Sequence, residues 1–181
     1  MKVEGIHHVA YRCHDAKETV EWYVKNLNMD FVLAIAEDQV PSTKAPDPYM
    51  HVFLDAGQNN VLAFFELPTK ARMGRDENTP EWVQHIAFKV KDMDTLLEYK
   101  AHLEANDVEV LGVTDHSVFH SIYFFDPNGH RLELAAPDAA EQAKLDRLDE
   151  VKWAMLEEWS QTKRAPKHAD WMHKGEFEAL D

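Results

Sequence analysis

Histidines 8 and 85 hold the same position in two copies of one pattern. The first copy reads His-Val-Ala-Tyr-Arg-Cys-His-Asp over 8–15, and the second His-Ile-Ala-Phe-Lys-Val-Lys-Asp over 85–92. Ala10 and Ala87, Tyr11 and Phe88, Arg12 and Lys89, and Asp15 and Asp92 keep the same spacing of 77 residues. One histidine in a strand is most simply a satisfied core residue. Two equivalent ones, meeting across a pseudo-twofold axis, suit a divalent metal, for which imidazole nitrogen is a favoured ligand. His7 has no counterpart at that spacing, so the repeat selects His8. A carboxylate joins them. Glu133 sits between Leu132 and Leu134 in a run that alternates as a strand, and a buried carboxylate is costly unless it is paired or metal-bound. An ion pair with Arg131 or Lys89 is the plainer alternative.

These residues must be placed by two similar units. Period-2 alternation marks strands at 4–13, 30–37, 49–55, 61–67, 82–90, 107–113, 119–125 and 130–136. Helical spacing marks 16–27 (Val20, Trp22, Tyr23, Leu27) and 93–105 (Met93, Leu96, Leu97, Tyr99, Leu103). Asp15 with Glu18 three residues later is a capping pattern for the first helix. Gly57-Gln58-Asn59-Asn60 and Asp126-Pro127-Asn128-Gly129 are turns. Each half is therefore βαβββ, over about 1–68 and 81–137, and the fold class is α+β. The polar stretch from Thr69 to Pro80 links the halves and is placed to move over a shared site. A helix over 138–163 carries Leu145, Leu148, Met155, Leu156 and Trp159; it should pack on the domain or on a second subunit. The tail from His168 to Asp181 lacks regular periodicity.

The bulk composition narrows the function. The 181 residues carry a formal charge of −14, which excludes nucleic acid and anionic membranes as natural partners. A lone cysteine, Cys13, excludes an internal disulfide and fits a reducing, cytoplasmic setting. No apolar run approaches a bilayer span, and the sequence as given opens directly into a strand with no signal peptide.

Three stretches, Gly5-Ile6-His7-His8-Val9-Ala10, Gln84-His85-Ile86-Ala87 and Tyr123 to Glu133 (Tyr-Phe-Phe-Asp-Pro-Asn-Gly-His-Arg-Leu-Glu), resemble the vicinal oxygen chelate superfamily, also called the glyoxalase/bleomycin resistance/dioxygenase superfamily. The resemblance covers about residues 4–136. It implies that the two modules form an eight-stranded cup around a divalent metal, with His8, His85 and Glu133 as ligands. Glyoxalases and epimerases of this kind add a fourth ligand from the fourth strand. Counting from the Gly57 turn puts Phe64 there, with Glu66 as the possible fourth ligand one step further out. Two histidines and one carboxylate leave open positions, as in non-haem Fe(II) oxygenases; Fe(II) is the expected metal, with Mn, Zn and Ni as alternatives.

The length of the chain and its Thr114-Asp115-His116 loop are most similar to small one-domain biphenyl-2,3-diol 1,2-dioxygenases. That likeness implies Tyr123 near the substrate oxygen, with His116, His120 or His51 as acid/base, because Asn59-Asn60 stands where related enzymes carry a histidine. Phe64, Phe53 and Asn60 would line the pocket. The expected function is extradiol cleavage of a catechol-like aromatic diol with O2 by a homodimer. A metal-dependent lyase, isomerase or thiol transferase, or a non-catalytic small-molecule-binding protein, are the alternatives. Such sites need orientation, a dry pocket and a proton shuttle.

Overall fold

The helix of each module begins where an aspartate can satisfy its first free N–H groups. Asp15 accepts from the Glu18 N–H at 2.8 Å and opens α1 (Ala16–Leu27). Asp92 accepts from the Thr95 N–H and hydroxyl and opens α2 (Met93–Ala105). Those bonds, the Thr95 hydroxyl first, hold the Asp92 carboxyl down at about 2. Asn28 ends α1 in the left-handed region, at φ 53°. The computed structural model describes residues 3–173. Its strands are β1 (Val9–Cys13), β2 (Asp30–Glu37), β3 (Tyr49–Asp55), β4 (Val61–Glu66), β5 (His85–Lys89), β6 (Leu111–Asp115), β7 (Phe119–Phe125) and β8 (Arg131–Pro137). They form two four-stranded sheets of identical order, β1-β4-β3-β2 and β5-β8-β7-β6. In each, the first strand runs parallel to the last and the others are antiparallel.

Strand alternation then sorts the residues. In the second sheet Leu132, Leu134 and Ala136 lie in the core, as do Ile122 and Phe124. In the first, Val52, Leu54, Leu62 and Phe64 do the same. The helices cover these faces, and the two covered faces meet. Trp22 of α1 lies 6.2 Å from Phe124, and Tyr23 lies 5.1 Å from Phe64.

A buried polar knot also joins the modules. The Tyr23 hydroxyl donates to Asp126 at 3.1 Å. Asn128 donates to Thr19 and accepts from the His14 N–H, and His130 Nε2 lies 2.7 Å from the Arg12 carbonyl. The Asp-Pro-Asn-Gly turn is thus a clasp as well as a reversal. With the helix-covered faces turned toward each other, the opposite faces of both sheets point outward.

The edges are open. Phe31, Val32, Leu33 and Ile35 of β2, and Leu111 and Val113 of β6, are exposed. The C-terminal helix α3 (Glu141–Thr162) has no buried residue; the 3-10 helix Lys167–His173 packs beside it. α3 touches the domain through Lys144 and Glu141, while Leu145, Trp153, Leu156 and Trp159 are exposed in the single chain. The tail, which lacks regular periodicity in sequence, forms that 3-10 helix as far as His173; residues 174–181 lie outside the described residues. Among the described residues, no helix is long and apolar enough to cross a membrane.

Candidate metal and proton-transfer site

The outward face of the second sheet collects the polar side chains. Ladder pairing sets Ala87, Glu133 and Tyr123 side by side, with His85 beside Arg131 one step along. Glu133 is only 3% exposed. Its Oε2 lies 3.0 Å from His85 Nε2, and its Oε1 accepts from the Ser121 hydroxyl. His85 Nδ1 lies 3.0 Å from the Val83 carbonyl, which can only accept. The ring proton therefore belongs on Nδ1, and the Nε2 lone pair of a neutral ring faces a carboxylate oxygen. Two acceptors this close need a proton or a cation between them. A backbone-oriented histidine and a hydroxyl-held carboxylate are also how ligands of a bound metal are held in place.

Beside this pair, Tyr123 and His116 form a hydrogen-bonded pair of titratable groups. The Tyr123 hydroxyl and His116 Nε2 are 2.7 Å apart. Burial, and then the Glu133 carboxylate, push the Tyr123 phenol above its usual value, so the proton stays on oxygen at neutral pH. The Arg131 guanidinium lies 4.5 Å over the Tyr123 ring. His120 takes no part: it alternates with Ser121 and Tyr123, shares the parity of Ile122 and Phe124, and lies 3.8 Å from Asp115. It is withdrawn as an acid/base candidate.

The outward face of the first sheet is aromatic. His51 stacks on Phe65 with centroids 3.5 Å apart and lies 4.1 Å from Phe53. Burial, then the nearby His8, lowers the His51 pKa and keeps the ring neutral. Its Nε2 is buried and unpartnered. His8 projects just ahead of β1, 6.1 Å from His51 and 5.8 Å from Phe53, and its Nδ1 lies 2.8 Å from that of His7.

Two assignments on the fourth strand change. Phe64 is fully buried on the helix-covered face against Tyr23, so it lines no outward pocket. The residue in the register of Glu133 is Ala63, paired with Ala10 as Glu133 is with Ala87. Glu66 shares the parity of Phe64, and its Oε2 accepts from the Ala16 N–H at the start of α1. It is therefore a helix cap and not a fourth ligand. Asn60 donates to the Gly57 carbonyl within its own exposed turn. What the sequence reading missed on these faces was Ser121, Phe65 and Ala63. Strand alternation from Tyr123 and His51 would have found the first two.

Among the described residues no three His, Cys, Asp or Glu side chains converge closely enough to hold a metal. His85 and Glu133 do converge; His8 stands with the first sheet. The histidines of the repeat therefore stand on different sheets, and only His85 meets the carboxylate. Between the modules, a cavity of about 600 Å³ is lined by Tyr11, His85, Arg131, the linker residues Met73–Asp76, Thr79 and Pro80, and the adjoining Glu81.

A model of the Glyoxalase/Bleomycin resistance protein/Dioxygenase superfamily matches residues 5–134. A Bacillus subtilis (strain 168) protein described as "Putative ring-cleaving dioxygenase MhqA" is 28% identical over 141 residues, covering 76% of this chain. The chain spans 42% of that relative's length. The fold is shared with FosX, a fosfomycin resistance protein from Listeria monocytogenes, in complex with Mn(II) and sulfate. That structure is 19% identical with a TM-score of 0.57, over 78% of this chain and 99% of FosX. It is shared too with lactoylglutathione lyase from Agrobacterium tumefaciens, at 19% identity and a TM-score of 0.52, over 75% of this chain and 96% of that one.

Proposed function

Because the chain belongs to the glyoxalase/bleomycin resistance protein/dioxygenase superfamily, we propose that it is a metal-dependent extradiol-type dioxygenase that opens a catechol-like ring. The observation that carries this reading is the His85–Glu133 pair with the Tyr123–His116 dyad beside it on one sheet face. A facial set of two histidines and one carboxylate is the donor set of non-haem Fe(II) oxygenases. Ala63 in the place where a fourth carboxylate would stand favours that set over a four-ligand lyase site. The ring-cleaving description of the MhqA relative points the same way.

His85 and Glu133 would hold the metal, and His8 of a second copy would supply the third ligand. Fe(II) held by these residues would supply the Lewis-acid and O2 chemistry that ring opening needs. The protein supplies the rest. Phe53 and Phe65 present flat apolar walls to the ring. Tyr123 and His116 pass a proton between the diol oxygen and solvent, and neutral His51 is a second acceptor on the facing half. The test is anaerobic loading with Fe(II), followed by O2 uptake and ring-cleavage absorbance on a catechol panel, with size measurement of the loaded protein. Uptake with ring opening by a dimer is expected. Turnover of hemithioacetals with Ni(II) or Zn(II), without O2 uptake on catechols, would replace this reading with the lyase one.

A further inference from the structure

The Tyr123–His116 dyad depends on a turn that lies at a free edge. His116 belongs to the β6–β7 reversal, and every residue of β6 is exposed. Within the turn, the His116 N–H donates to the Phe119 carbonyl and the Ser117 N–H to Asp115. Ser117 itself sits at φ 65°, in the left-handed region that a serine adopts at a cost. An exposed hairpin at a sheet edge is prone to fray.

Bonds from the segment that follows β8 fasten it from outside. The Asp138 N–H donates to the Val118 carbonyl at 3.2 Å. Lys144 Nζ donates to the Ser117 carbonyl at 2.5 Å and to Asp138 Oδ1 at 2.6 Å. The Lys144 side chain is only 13% exposed, although it belongs to a helix with no buried residue. Burial alone would raise the Asp138 carboxyl; the Lys144 ammonium and the Ala140 N–H outweigh it and hold the group ionised below its usual value. Both fastenings come from the segment after residue 134, where the match to the superfamily ends.

We propose that Lys144 of α3 is a positioning residue for the acid/base dyad: its bond to the Ser117 carbonyl holds the adjacent His116 ring against the Tyr123 hydroxyl. The inference rests on the dioxygenase reading for its kinetic consequence but not for its geometry. α3 is on this account a brace for the proton-transfer turn. An ammonium reaching two oxygens at once fixes the turn in one place, which a neutral side chain of similar length cannot do.

The test uses the full chain as Lys144→Met and Lys144→Arg. Metal-free protein is read by side-chain nitrogen–proton NMR of His116, and Fe(II)-loaded protein by catechol turnover in air. Lys144→Met should move the His116 Nε2 resonance away from its hydrogen-bonded position and leave that of His85 in place. It should lower kcat about tenfold with KM within about twofold, since the loss falls on proton transfer and not on binding. Lys144→Arg should restore most of both. If Lys144→Met does not fold, Asp138→Asn is read in the same way, with a smaller shift in the same direction. An unchanged His116 resonance in the folded variant overturns the inference whatever the kinetics. If the wild type opens no catechol, the dioxygenase reading fails, and the resonance alone decides the role of Lys144.

Discussion

The two modules share strand order, helix caps and ladder register, yet their outward faces carry different chemistry. Where the second sheet places Glu133 beside Tyr123, the first places Ala63 beside Phe53. Where the second has Ser121 paired with Ala135, the first has His51 paired with Phe65. One face therefore carries a hydrogen-bonded carboxylate beside a histidine, and the other an aromatic wall of Phe53 and Phe65 with His51 and His8 against it. The repeat specifies architecture and the substitutions within it specify roles. A single duplicated scaffold can supply both the charge that binds a metal and the dry surface that receives a ring, provided that the two outward faces are brought together.

The largest expected effect breaks the polar side of that contrast. Glu133→Ala should abolish retention of the metal, measured by elemental analysis after dialysis, and lower turnover by more than about 100-fold, the upper range for loss of merely supporting groups. Ser121→Ala, which removes only the hydrogen bond to Glu133, should weaken metal affinity by about 10- to 100-fold. Equal metal retention in both variants would remove the proposed metal site from the second sheet.

Tyr123→Phe should separate binding from proton transfer. Metal content should be unchanged while kcat falls by about 10²- to 10⁴-fold, the range for a positioned acid/base group. On the aromatic face, Phe53→Ala should instead raise KM for aromatic diols about tenfold, equivalent to about 1.4 kcal/mol of lost contact, with kcat little altered. A Phe53→Ala variant that lost kcat and kept KM would show the wall to be part of the chemistry.

Much of this contrast was legible in the sequence. The 77-residue repeat located His85, and the alternation of Leu132, Glu133 and Leu134 put the carboxylate opposite the core. The helix limits followed from Asp15 and Asp92. What was not legible depends on long-range geometry. The β3–β4 reversal pairs Asp55 with Val61, and Gln58 and Asn59 both take positive φ inside it. Counting through such a turn misplaces the strand by one residue, and a slip of one exchanges the faces. That is how Phe64 stood in for Ala63. Nor does a repeat say which faces of its two copies meet. The meeting of the helix-covered sides is fastened by Tyr23 donating to Asp126, and by Asn128 donating to Thr19 and accepting from the His14 N–H, bonds between residues about a hundred positions apart.

The smallest effect concerns that closure. Tyr23 is fully buried, and its hydroxyl donates to Asp126 across the module boundary. Burial first, and then the Asp126 charge, raise the Tyr23 phenol well above 10. The folded chain therefore keeps this proton at pH values where an unfolded tyrosine, titrating near 10, gives it up. The folded state then binds more protons than the unfolded state, so stability must fall as pH rises through about 10. Tyr23→Phe removes the titration and also a buried hydrogen bond worth about 1 kcal/mol. At pH 7 the variant should melt a few degrees lower than the wild type, and the gap should narrow above pH 10, where the wild type alone carries the alkaline penalty. Thermal melts at pH 7, 9 and 10.5 measure it. A gap that stays constant or widens across that range would show that Tyr23 does not titrate with unfolding, and that the clasp between the two modules rests on Asn128 and His130.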